Sequence, residues 1–190
     1  LIYFLIIPFL VFYFLKDYKL MEKVVWYLTP RKWRKKGQAL LKDIDISLGN
    51  FIRGQILVSL SAGLLSMIGL WLIGVPYSMI LGIFIAITNI IPYFGPIIGM
   101  VPAILVATFQ SWKTLLFTVI VLFIIQQIEG NILSPIIVGK SLQLHPALIM
   151  LALIVGIEIG GVVGLILAVP TLAIAKVIAL HIRENMQKQV

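Results

Sequence analysis

The side chains able to do chemistry in this sequence are few, and most stand in apolar surroundings. Glu158 is the lone charge between Ala147 and Pro170. A charged side chain at the centre of a membrane helix costs about 2.5–3.5 kcal/mol on insertion scales, so such groups face a polar cavity, a partner or a bound cation. Two readings are open. One is a proton- or sodium-coupling carboxylate beside Gly160-Gly161; the other is a glutamate near one end of its block, 12 residues after Pro146. A second group, Gln126, Gln127, Glu129 and Asn131, collects polar side chains ahead of Pro135. It reads equally as the lining or gate of a pathway and as a solvated helix end. The third is a break. Asn89, Pro92, Gly95, Pro96 and Gly99 interrupt an apolar run, where Pro92 and Pro96 cannot donate backbone hydrogen bonds and Gly95 permits left-handed geometry. Freed carbonyls and half-helix ends in such a place can meet an ion or a polar solute. The structural alternative is a packing kink that holds no ligand.

Much chemistry is excluded. There is no cysteine, hence no disulfide, thiolate metal site or cysteine nucleophile. His145 and His181 each stand alone, so no metal site is expected. The sequence has no His-Glu-x-x-His and no paired intramembrane aspartates. Ser59, Ser61 and Ser66 have no histidine in any apolar block to act as base. No glycine-rich loop with a phosphate-binding lysine is present, and no cofactor is expected. This is not the pattern of an enzyme.

The elements that must position these groups are membrane helices. Hydrophobic residues make up 61% of the chain and charged ones 12%, too apolar for a soluble domain to cover. Between Arg53 and Lys113, 59 residues pass without a charge. Block 55–73 is long enough to cross a bilayer, and its small residues Ser59, Ala62, Gly63, Ser66 and Gly69 suit close helix packing. Gly74-Val75-Pro76 reads as a tight turn. Block 77–109 is too long for one straight span and carries the break at Ile91-Pro92-Tyr93-Phe94-Gly95-Pro96, while its tail from 97 is too short to be a span of its own. A third block covers 114–128. The fourth, from 147 to about 180, is interrupted at Gly160-Gly161, Gly164 and Pro170.

Residues 1–15 read as the end of a transmembrane helix. Fifteen residues span only about 22 Å against a hydrocarbon core of about 30 Å, so the chain is expected to be the later part of a longer one. Segment 16–53 carries +6 of the net +8. It reads as membrane-surface helices: Leu20, Met21, Val24 and Leu28 share one face, Leu40, Leu41, Ile44, Leu48, Phe51 and Ile52 another, with Tyr18, Trp26, Tyr27 and Trp33 as interfacial aromatics. Pro30 could open the second helix with Thr29 as its cap. The cluster Arg31-Lys32-Trp33-Arg34-Lys35-Lys36 has the charge for nucleic acid, but a cytoplasmic loop beside anionic lipid accounts for it, and no nucleic-acid partner is expected. Residues 54–184 then form a transmembrane domain with breaks near 91–102 and 160–170, and 185–190 a tail. If each broken block counts as one crossing, Lys176, Arg183 and Lys188 return to the cytoplasm with the basic loop. Gly95 to Ala103 resembles Gly160 to Ala168, a hint of internal repetition in which both stretches are expected to run in the same direction. Paired broken segments of this kind mark transport sites.

Several motifs carry a resemblance. Phe51-Ile52-Arg53-Gly54-Gln55 matches Tyr-Ile/Phe-Arg-Gly-Gln, and Gly74-Val75-Pro76-Tyr77 matches Gly-Val-Pro-Tyr. Residues 89–96 match Asn-x-Ile-Pro-Tyr-x-Gly-Pro, and 129–139 match Glu-x-Asn-x-Leu-x-Pro-x-Ile-x-Gly, followed by Leu144-His145-Pro146. Gly-Gly-x-x-Gly and a proline occupy 160–164 and 170. As an ordered set over essentially the whole chain, these resemble the autoinducer-2 exporter family of permeases. The resemblance implies a membrane transporter of about eight helices, of which this chain is the later half, assembling as an oligomer. Some members are described as sodium/proton antiporters or as sporulation proteins, so the solute is not carried over.

The expectation is an all-α polytopic membrane protein of the cell membrane, working in the lipid bilayer. It would be a secondary transporter or permease exporting a small polar solute or signal, coupled to H⁺ or Na⁺, and a homo-oligomer. Its transport path would follow Asn89, Pro92, Gly95, Pro96 and Gly99 and then Gly160, Gly161, Gly164 and Pro170. The rival readings are an oligomeric passive channel and a non-transporting structural membrane protein.

Overall fold

The computed structural model describes residues 16–138 and 144–187. The expected helix at 1–15, Gly139 of the 129–139 motif and residues 188–190 of the tail lie outside the described residues, as do the side chains of Met21, Leu28 and Trp33. All regular structure among the described residues is helical: α1 (Tyr18–Leu28), α2 (Arg31–Ile73), α3 (Ser78–Thr88), α4 (Phe94–Gln110), α5 (Trp112–Ile128), a π-helical turn (Glu129–Leu133), α6 (Ser134–Ile137) and α7 (Pro146–Gln187). Arg34–Ile73, Trp112–Ile137 and Pro146–Arg183 are long and apolar enough to cross a membrane. The chain divides into two compact units, Leu1–Asp43 and Ile44–Val190.

In the first unit the elbow between α1 and α2 is tied by one side chain. Arg34 donates to the carbonyls of Thr29, at 2.8 Å, and Tyr27, at 3.3 Å. These are the last carbonyls of α1, which no residue of that helix can bond. The Trp26 indole lies over Gly37, where a Cβ would stand 3.0 Å from the ring. Leu20, Val24 and Tyr27 are left exposed on α1. Helix α2 begins at Arg31, one residue beyond Pro30.

The second unit is built from chain reversals. Helix α2 stops at Gly74 in a Schellman turn: Gly74 N–H bonds the Trp71 carbonyl, Val75 N–H bonds the Leu70 carbonyl, and Gly74 takes φ +83°. Leu70 and Val75, the apolar pair that accompanies such a turn, are both buried in a core with Leu81, Ile85, Ala103 and Leu122. The chain then runs back along α2. Gly63 lies against Ala86 and the Gly82 carbonyl, and Gly82 against Met67, so the two helices meet backbone to backbone.

At Asn89 the chain turns again. Gly95 of α4 packs on the Thr88 carbonyl and Gly99 on the Thr88 hydroxyl and Ile85, so α3 and α4 form an antiparallel hairpin. The hairpin ends where it began, because Gln110 Nε2 donates to the Gly74 carbonyl at 3.1 Å. Ser111 caps α5 by accepting from Thr114 N–H at 3.1 Å. The span α5 to α6 then returns beside α2, with Val121 against Gly69 at one end and Val138 against Gly54 at the other.

Helix α7 is likewise two arms. Gly161 has φ +56° and ψ −136°, which is not helical, and Gly164 touches the Gly156 carbonyl. In a straight helix residues eight apart are about 12 Å from one another. The chain has therefore doubled back, into arms 146–160 and 162–187. Their seam joins a second core of Leu153, Leu165, Ala168, Val169 and Ala173 with Phe51 of α2.

The broken blocks are therefore not continuous rods: 77–109 and 146–187 are hairpins that return toward the end they left. The turning points are short, at 89–93 and 160–161, and Pro102 and Pro170 lie inside helices. The resembling stretches 95–103 and 160–168 are in each case the arm that follows a reversal. Their glycines serve one purpose: Gly95, Gly99 and Gly164 let the returning arm touch the outgoing one.

Gly164→Ala is expected to place a methyl group on the Gly156 carbonyl and to destabilise the protein by about 1–3 kcal/mol or more. Gly160→Ala, with open space around it, is expected to stay within about 0.5 kcal/mol. Thermal unfolding of the two variants in detergent compares them directly.

Candidate functional site

The hairpin α3–α4 ends at a place where backbone polar groups must find partners without water. The Asn89 carbonyl accepts a hydrogen bond from Gln55 Nε2 at 2.9 Å, across 34 residues of sequence. Asn89 Nδ2 in turn donates to Glu129 Oε1 at 2.8 Å. Asn89 is 1% exposed, and its Oδ1 has no partner. Three elements, α2, the first hairpin and the α5–α6 span, are thus joined by one chain of amides ending on a carboxylate. Buried amides and carboxylates are tolerated only when so connected.

Glu129 opens the π-helical turn. Such a turn inserts an extra residue into the helical ladder and is frequent at functional sites. Helix α5 thereby keeps Thr118, Leu122 and Ile125 buried up to the point where the carboxylate emerges.

The network borders a cavity of about 500 Å³. Gln55, Gln126, Glu129 and Ser134 supply its polar wall; Phe51, Tyr93, Val138, Ile149 and Val169 are among its apolar walls. Glu129 also borders a smaller void of about 10 Å³ between α2 and α5, together with Ser66 and Gln126.

At the hairpin tip Tyr93 has φ +66° and ψ −49°, and Phe94 N–H donates to the Pro92 carbonyl at 2.8 Å. This is a three-residue γ-turn of the positive-φ kind, a rare and strained conformation for a residue with a side chain. The sequence points to Gly95 as the left-handed residue. It is instead Tyr93 that has positive φ, while Gly95 sits in the first turn of α4, where what matters is its missing Cβ against Thr88.

The structure brings together part of the expected set. Pro92, Pro96, Gln126 and Glu129 line the cavity, and Asn89 joins it through Glu129. Gly95 and Gly99 hold the hairpin closed behind it. Gln127 and Asn131 are exposed on the outer side of the turn, where Asn131 Nδ2 bonds the Gln127 carbonyl at 3.0 Å. Glu158, Gly160 and Gly161 are exposed at the tip of the second hairpin, apart from the cavity lining; Gly164 and Pro170 lie in its returning arm. Sequence reasoning passed over Gln55 and Tyr93 as site residues. Gln55 had a usable signal, a hydrogen-bonding side chain at the head of an uncharged run of 58–59 residues, whereas nothing local marks Tyr93 for positive φ.

A family model described as AI-2E family transporter matches residues 1–184. The chain belongs to the AI-2E transporter family. Among relatives, it is 58% identical over 182 residues to "Putative transport protein YrrI" of Bacillus subtilis strain 168, covering 94% of this chain and 52% of that protein. It is 43% identical to YueF of the same strain, over 93% of this chain and 48% of the relative. It is 30% identical to the Escherichia coli K12 permease PerM, so named, over 93% and 50%. The chain spans about half the length of the curated relatives it matches. No solved structure gives a significant match. The chain is thus a helical membrane protein of this family, with α2 and the α5–α6 span each long and apolar enough to cross a bilayer.

Because Tyr93 holds positive φ, Tyr93→Gly is expected to be more stable than Tyr93→Ala. Both lose the ring and only glycine relieves the backbone, a difference of roughly 1–3 kcal/mol. Unfolding of the two variants in one detergent measures it; alanine equal to or better than glycine would remove the strain argument.

Proposed function

We propose that this protein is a secondary transporter of the cell membrane that moves a small polar solute through the cavity under the first hairpin. An autoinducer-2-like signal is one solute of the proposed class. The observation that carries the reading is the Gln55–Asn89–Glu129 chain, which sets a carboxylate on the cavity wall at the tip of a broken apolar segment. Paired helix breaks near midplane are where secondary transporters bind their ions and solutes. Glu129 is the proposed group for coupling to H⁺ or Na⁺. Glu158, at the tip of the second hairpin, is the second candidate for that role.

The proposed topology keeps the basic segment 16–53 and the tail on the cytoplasmic side. Helix α2 and the α5–α6 span cross in opposite senses, and each hairpin returns to the side it left. In this proposal Lys176 and Arg183 share a side with the basic segment, as the positive-inside rule requires. The exposed apolar faces of the second hairpin, Ile154, Ile159 and Val163 among them, are available to lipid or to a second copy of the chain in a homo-oligomer. Membership of a transporter family is also the ground for reading the chain as a non-enzyme.

In liposomes holding the purified full-length protein, solute efflux is expected to collapse when the ion gradient is dissipated. Flux indifferent to the gradient would make the protein a passive pore, and no flux of any solute would remove the transport reading. Glu129→Gln keeps the acceptor for Asn89 and removes the charge. It is expected to cut gradient-driven flux at least tenfold with the protein still folded, and Glu158→Gln measured beside it decides between the two carboxylates.

A further inference from the structure

We propose that the cavity under the first hairpin binds organic cations, protonated or quaternary amines that carry an apolar body. The inference rests on the transporter reading and names a solute class by the chemistry of the walls. The chain as a whole is strongly basic, with a net charge of +8. The cavity has the opposite sign among the described residues: its lining there holds the Glu129 carboxylate and no lysine, arginine or histidine. Tyr93 is the other titratable side chain in the described lining.

What surrounds that carboxylate matters. Its hydrogen-bond partner is the neutral amide of Asn89, and among the described residues no cation pairs with it. The buried Asn89 Oδ1 adds a second unpartnered acceptor close to it. An anion entering this space meets repulsion at the carboxylate. An uncharged furanone-type signal fits the volume but leaves the carboxylate without a counter-charge. A bare Na⁺ or proton satisfies the carboxylate but uses little of a cavity of about 500 Å³. An amine with an apolar body uses both: its charge meets Glu129, and its body meets Ile149 and Val169 and the rings of Phe51 and Tyr93. Aromatic faces attract such cations within about 6 Å of the ring centre.

The same arrangement sets the coupling. A proton on Glu129 abolishes the attraction for the amine, and an amine held there opposes protonation. Proton and cationic solute thus exclude one another on a single carboxylate, and alternate occupancy gives exchange of one for the other.

The test is binding of benzyltrimethylammonium to the purified full-length protein by titration calorimetry, beside benzyl alcohol and phenylmethanesulfonate as neutral and anionic counterparts. The cation is expected to bind at least tenfold more tightly than either, to weaken as pH is lowered, and to lose at least tenfold in Glu129→Gln. Thermal unfolding verifies that Glu129→Gln is folded, and Glu129→Asp, which keeps the charge, is expected to recover part of the affinity. Equal binding of the three probes, or unchanged cation binding in a folded Glu129→Gln, overturns the proposal. The outcomes separate from those of the transport reading. Gradient-coupled efflux of a furanone-type signal without cation binding removes the cation proposal alone; cation binding with no flux of any solute removes the transport reading alone.

Discussion

The second unit depends on one constraint: wherever the chain stops being helical inside apolar surroundings, its backbone polar groups need partners from within the protein. At the end of α3 that need is met by Gln55, whose amide reaches the Asn89 carbonyl from α2. The bond fixes where the hairpin tip stands on α2. The side chain of Asn89, held by the same turn, then reaches Glu129 and fixes the α5–α6 span as well. A hydrogen bond needed for backbone solvation thus also determines where the carboxylate sits.

Closing the hairpins is a separate matter of volume. Lipid tails are as apolar as leucine, so the hydrophobic effect gives membrane helices little reason to choose one another, and close packing must supply it. The contacts Gly63–Gly82, Gly95–Thr88 and Gly164–Gly156 bring backbones into touch where any side chain would intrude. The buried residues Leu70, Ile85, Leu122, Leu153 and Val169 fill the space beside those seams. Large residues facing outward, such as Trp71, Phe109 and Trp112, meet what a soluble protein would have to avoid exposing.

The membrane character, the broken segments and the glycine-proline turning points were legible in composition and spacing. Charge-free length and interruption are local properties, and Gly74 with its following proline announced its turn directly. Direction was less accessible. A helix that kinks and continues and a helix that doubles back have the same local sequence. What separates them here is whether Gly95, Gly99 and Gly164 find a backbone to touch, a fact about tertiary contact. The partnership of Gln55, Asn89 and Glu129 was hidden for the same reason, since sequence separations of 34 and 40 residues leave no periodic trace. Glu158 drew attention by its isolation in sequence, yet isolation there corresponds to an exposed tip, while the less conspicuous Glu129, placed among other polar residues, reaches the cavity.

The charge of Glu129 is what the architecture does not require. Asn89 Nδ2 needs only an oxygen to accept its hydrogen bond, and a glutamine would offer one of the same reach. A carboxylate in this place carries a solvation penalty of a few kcal/mol by insertion scales, roughly the worth of two ordinary mutations. Among the described residues it is offset by one neutral amide rather than by a lysine or arginine. The strained Tyr93 stands on the same cavity wall, at a cost of about 1–3 kcal/mol that the hairpin could shed with a glycine. Two features that lower stability thus line one cavity and serve no packing need, which is the ground for proposing that the working part of the molecule lies between the hairpin tip and the π-helical turn.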